Sequence, residues 1–154
     1  MRTAYQLHVL RATRDNATKI IRSCTNEQVN HTPTGFANNL IWNYGHMIVT
    51  QQLLIYGLSS LPMVTDRDLV AAYRKGSHPA ERVGETEVEQ LIGLADSTIG
   101  KLERDLARED LFKEFRSYTT SYGTVMNDHL EAVAFNNIHE GYHLGIMRAI
   151  LKFV

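Results

Sequence analysis

Apolar positions near the start of the chain recur with helical spacing. From Thr3 to Cys24 they fall at Leu7, Leu10, Ala17, Ile20, Ile21 and Cys24, with arginines and other polar residues between, the pattern of a one-sided amphipathic helix. Asn26, Asn30, Thr32, Pro33 and Gly35 then cluster within Thr25 to Gly35, a composition that predicts a loop. Beyond it Leu40, Tyr44, Met47, Gln51, Leu54 and Leu58 step by fours and threes, and Trp42, His46, Val49 and Leu53 trace a second stripe beside them. Two adjoining stripes predict a helix in the interior of a bundle.

Gly57, Ser59, Ser60 and Pro62 end that helix. Asp66 to Lys75 predicts a short connecting helix before Gly76, Pro79 and Gly84 interrupt the chain again. Thr86 and Glu89 have the spacing of a capping box and open a third helix, from about Thr86 to Arg108, along which Val88, Leu91 or Ile92, Ala95, Ile99, Leu102 and Leu106 follow at threes and fours. Phe112 to Thr124 reads as ordered loop, with room for an extended turn or a short strand. Asp128 and Glu131 cap a last helix with Val133, Phe135, Ile138, Tyr142, Ile146 and Ile150 on its inward face. Four helices of about 20 residues, without an alternating β pattern or an internal repeat, predict an all-α four-helix bundle. The connection of about 28 residues between the second and third helices is too long for a hairpin loop and predicts a long crossover.

With 154 residues, the chain is expected to form one domain spanning 1–154. Lys and Arg number 16 against 17 Asp and Glu, a net charge of −1, and no block of five like charges occurs. The electrostatic footprint of a nucleic-acid binder is therefore missing. The longest apolar stretch, Met47 to Leu58, is broken by Thr50, Gln51 and Gln52 and falls short of the ~20 residues that cross a bilayer. A single cysteine, Cys24, and an N-terminal run, Met1 to Gln6, without the apolar segment of a secretory signal place the expected location in the cytoplasm.

The candidate chemistry lies in the histidines. His139 and His143, four apart on one helix, project from the same face about 6 Å apart along the axis, a spacing suited to two ligands of one metal. His46 lies about as far into its helix as His139 does into its own, so the three imidazoles fall near mid-height. Three neutral imidazoles bind Zn²⁺ or a similar ion at about 2.0 to 2.1 Å and leave a coordination position open; Ni, Fe, Mn and Co also suit such a set. Asn136, one turn before His139, and Asn39, two turns before His46, are candidate acceptors for the outer imidazole N–H groups. Trp42, Tyr44 and Tyr142 read as core packing, and His8, His78 and His129 as surface; His31 has no assigned role. His139 to His143 also satisfies H-E-x-x-H, in which Glu140 is the candidate general base. The extended peptidase motif requires Gly at position 146 and His at 149, where Ile146 and Ala149 stand, and only 11 residues follow His143. A third ligand must therefore come from upstream, as His46 does.

The segments Asn30 to Gly35, Ile41 to His46 and Asn137 to Gly145 resemble the DinB-like superfamily (DinB/YfiT type) over essentially the whole chain. The resemblance implies a four-helix bundle, commonly a homodimer, holding one divalent metal ion per chain, nickel or zinc, on His46, His139 and His143; it assigns nothing to Glu140. Characterised relatives include transferases that join low-molecular-weight thiols such as bacillithiol, mycothiol or glutathione to electrophiles, and isomerases that use the same thiols. The expected function is thus metal-assisted thiol transfer between a small thiol and an electrophile. Metal-dependent hydrolysis with Glu140 as base, and a noncatalytic bundle with a structural metal, are the alternatives.

Overall fold

The computed structural model describes residues 2–108 and 110–154, so Met1, at the start of the N-terminal run considered above, and Glu109 lie outside the described residues. The chain is mainly helical. Helix α1 spans Arg2–Ser23, α2 Asn26–Asn30, α3 Leu40–Gln51, α4 Arg67–Tyr73, α5 Glu85–Leu106 and α6 His129–Ile150; α3 continues directly into a π-helical segment, Gln52–Gly57. Strands β1 (Tyr118–Thr119) and β2 (Val125–Met126) form an antiparallel hairpin, β1 within the stretch Phe112 to Thr124 read as ordered loop and β2 just beyond it.

Local chemistry accounts for most boundaries. The Asn39 side chain accepts from the Trp42 N–H and starts α3, Asp66 does the same for α4 through Leu69, and Asp128 accepts from Leu130 and Glu131 to start α6. Two expectations change. Within the predicted loop after α1, Thr25 and Gln28 form a reciprocal capping box that nucleates α2. Helix α5 begins ahead of the proposed Thr86 and Glu89 box. Gly84 is its N-cap residue and the Glu87 carboxylate accepts the Gly84 N–H at 2.9 Å, while Glu89 is drawn away to Arg22.

The long helices pack in a ring in which α1 and α3 each contact both α5 and α6. Their apolar residues form two clusters. One contains Ala17, Ile21, Met47, Ile48, Leu91, Ala95, Leu144 and Met147, and the other Leu10, Leu54, Ile55, Ile99, Leu102, Ala132 and Val133. Between the two lies a buried polar layer to which every long helix contributes: Arg14, Gln51, Thr98, Asn136 and Glu140. The clusters succeed one another in the same order along α1 and α6, and in the reverse order along α3 and α5. Helix α3 therefore runs parallel to α5, as the bonds from Gln51 to Thr98 and from Tyr56 to Asp105 also require.

The last helix corrects its predicted face. Ile138 and Tyr142 are exposed (54% and 58%), and the buried positions are Ala132, Val133, Asn136, Glu140, His143, Leu144, Met147 and Ile150. Tyr142 is thus not core packing, whereas Trp42 and Tyr44 are buried as expected. The reason is the polar layer: Glu140 is buried because Arg14, itself at a core position of α1, neutralises it.

Candidate metal centre

Helices α3 and α6 bring His46, His139 and His143 together, with one nitrogen of each within 4.8 Å of the others. His46 Nε2 lies 3.2 Å from His139 Nε2. Two ligands of one tetrahedral ion at 2.0 to 2.1 Å stand about 3.3 Å apart, so the spacing fits a shared cation. Ring centroids of the three imidazoles are 4.5 to 5.0 Å apart.

The orientation of two rings is set by their outer nitrogens. His46 Nδ1 donates to the Tyr73 carbonyl at 2.6 Å, which leaves the Nε2 lone pair facing the cluster. His143 Nδ1 donates to the Asn43 side-chain oxygen at 2.8 Å, and the Asn43 amide is held that way round because its nitrogen donates to the Asn39 carbonyl at 2.7 Å. His139 Nδ1 is buried without a hydrogen-bond partner among the described residues. Trp42 stacks on the His46 ring, with centroids 4.6 Å apart and planes 11° from parallel. The Tyr73 carbonyl reaches His46 because α4 lies tight against α3 at Gly45, where a Cβ would come within 2.5 to 2.7 Å of the Tyr73 ring.

Electrostatics hold the cluster neutral. Burial, reinforced by the neighbouring imidazoles, pushes His139 down to about 3 and His143 down to about 2. Burial also lowers His46, against the opposing hydrogen bond to Tyr73. Neutral imidazole is the form that ligates metal, and one nitrogen of each ring stands within reach of a shared ion. The donor set therefore fits a divalent ion.

Three expected roles fall elsewhere. The Glu140 carboxylate is fully buried and bound on both oxygens: Arg14 Nε donates to Oε2 at 3.0 Å, a second guanidinium nitrogen contacts Oε1, and Asn136 donates to Oε1 at 3.0 Å. It is an ion-pair partner rather than a free base. Asn136 consequently faces Glu140 rather than His139. Asn39 caps α3 and donates to the Asn30 carbonyl at 2.9 Å, without touching His46. The groups that orient His46 and His143 are instead Tyr73 and Asn43. Asn43 carries a signal in the sequence, three positions before His46 on one helix face; a backbone carbonyl from α4 carries none.

His8, His31 and His78 are exposed, as expected for His8 and His78. His129 is not a free surface residue: it is half-buried and stacks on Phe112, with centroids 4.4 Å apart. A cavity of about 800 Å³ between α3, α4 and α5 borders the centre through Trp42 and Tyr73 but is lined by none of the three histidines. Among the described residues no helix is long and apolar enough to cross a membrane.

No curated protein matches the chain. The family model of the DinB superfamily matches residues 10–147, a span that includes all three clustered histidines and reaches into all four long helices. The chain therefore belongs to the DinB superfamily.

Proposed function

We propose that this protein is a metal-dependent transferase that joins a small thiol to an electrophile. The observation that carries this reading is the convergence of three neutral imidazoles from α3 and α6, His46 and His143 buried and His139 half-buried. His46, His139 and His143 would hold a divalent ion, zinc or nickel by preference, which when bound would supply Lewis acidity to a thiol or water and so favour its deprotonated, nucleophilic form. Tyr73 and Asn43 hold the ligand nitrogens on target, and Trp42 screens one face of His46 from water. Hydrolysis is less well supported, because the carboxylate that would activate water is engaged by Arg14. In the proposed reaction the sulfur–carbon bond forms as the electrophile's leaving group departs, and the thiol proton passes to solvent.

The scaffold in this reading is a four-helix bundle in which the chain between α3 and α5 is a crossover, supported by the parallel course of those two helices. A single cysteine is in keeping with a reducing compartment such as the cytoplasm. Homodimer formation and the thiol and electrophile as partners rest on the family.

The test is turnover of monochlorobimane with glutathione, bacillithiol or mycothiol by metal-loaded protein, beside a panel of ester and amide substrates. Thioether formation that disappears in His46→Ala supports the reading. Turnover confined to the hydrolytic substrates overturns it.

A further inference from the structure

Thr50 stands one turn after His46 on α3, and its hydroxyl lies 3.3 Å from His46 Nε2, the nitrogen that faces the cluster. Threonines inside helices usually return their proton to the carbonyl four residues earlier. Thr13, Thr18 and Thr98 do so here, at 2.9, 2.9 and 2.7 Å. Among the described residues Thr50 makes no such bond, and its hydroxyl contacts the His46 ring instead. The residue is half-buried within an otherwise buried stretch of the helix, positions 40–52, so it is the one residue of that stretch with appreciable solvent exposure beside the cluster. Because His46 Nδ1 carries the proton given to Tyr73, Nε2 is an acceptor and the Thr50 hydroxyl donates to it. With a cation held on Nε2, that lone pair would be occupied and the hydroxyl proton would be free for another acceptor.

We infer that Thr50 is a positioning residue of the metal centre, whose hydroxyl hydrogen-bonds the incoming thiol sulfur or water oxygen at the position the three imidazoles leave open. The inference rests on the metal-centre reading proposed above. A threonine hydroxyl donates one proton and accepts through two lone pairs, so it serves an anionic sulfur as donor while its methyl group restricts where that sulfur sits.

The experiment uses Co²⁺ as the probe metal and 2-mercaptoethanol as the probe thiol, with binding followed by the sulfur-to-cobalt charge-transfer absorption in the wild type, Thr50→Val and Thr50→Ser. Cobalt is expected to bind both variants, no more weakly than the wild type, because the hydroxyl competes with the cation for the His46 Nε2 lone pair. Thiol affinity falls about five- to tenfold in Thr50→Val, the loss expected for one hydrogen bond, and returns in Thr50→Ser. Wild-type thiol affinity in cobalt-loaded Thr50→Val, or an equal loss in Thr50→Ser, overturns the role of the hydroxyl while leaving the metal centre intact. Failure of the wild type itself to bind cobalt overturns the metal reading and this inference with it.

Discussion

Arg14 and Glu140, 126 residues apart in sequence, meet as a solvent-excluded ion pair that ties α1 to α6, with Arg14 Nε 3.0 Å from Glu140 Oε2. The guanidinium also donates to the Ala95 carbonyl of α5 at 3.3 Å, so one side chain links three helices across the polar layer of the core. Removing one partner leaves the other charge buried and uncompensated. Arg14→Ala and Glu140→Ala are each expected to cost about 3–5 kcal/mol, whereas the double replacement Arg14→Met with Glu140→Leu costs less than either. Urea denaturation of the wild type, the two single variants, this double replacement and a double-alanine variant checks this, and additive losses in the double-alanine variant would contradict the coupling.

Gly45 is required by the close approach of α4. Gly45→Ala forces the Tyr73 ring to move and, through it, the carbonyl that orients His46. A loss of about 1–3 kcal/mol is expected from the overpacking, together with weaker metal binding. In a Tyr73→Ala background the same substitution should cost less stability, since the obstructing ring is gone; thermal denaturation of the four-member cycle measures the difference.

Asn43 and Asn39 separate two kinds of contribution. Asn43→Ala removes the acceptor for His143 Nδ1, and a 10- to 100-fold loss of metal affinity is expected (roughly the effect of deleting such an outer partner). Asn39→Ala removes the N-cap of α3 and should lower stability by about 0.5–2 kcal/mol. Competition with a chromogenic chelator, beside denaturation curves, reads both. Asn39→Ala should keep the larger share of its metal affinity.

The histidine cluster also dictates a pH dependence for the metal-free protein. His139 and His143 titrate near 3 and 2 when folded but near the ordinary imidazole value of 6.5 when unfolded. Below that value the unfolded chain binds more protons than the native state, so stability falls with falling pH. The contribution is complete above about pH 7 and is lost progressively as pH drops from about 6.5 toward 3. With a chelator present, the denaturation midpoint should drop between about pH 7 and pH 5, and His139→Leu should flatten that slope. An unchanged slope would mean that the cluster does not govern it.

The steps of three and four along Leu40 to Leu58 and Val88 to Leu106 made the long helices legible, because apolar burial follows helical periodicity. The histidine cluster was legible for the same reason. The true face of α6 was not. Glu140 and Asn136 occupy core positions there, and a carboxylate reads as solvent-facing unless its partner is known. That partner, Arg14, fills the gap between Leu10 and Ala17 in the apolar stripe of α1, a step of seven that is itself the signal of an occupied core position. The acceptor on His46 was out of reach, since Tyr73 contributes only its backbone and stands there because α4 folds back on Gly45. The Gly84 cap was hidden by a neighbouring Thr86 and Glu89 pair with the better local pattern, which lost to the Arg22 ion pair.

The most direct test of the metal centre is elemental analysis of untagged protein together with His46→Ala, His139→Ala and His143→Ala. The account predicts one equivalent of a divalent metal per chain in the wild type and its loss from each variant, with helical content retained. A wild type that takes up no ion, or single variants that keep a full equivalent, would contradict it.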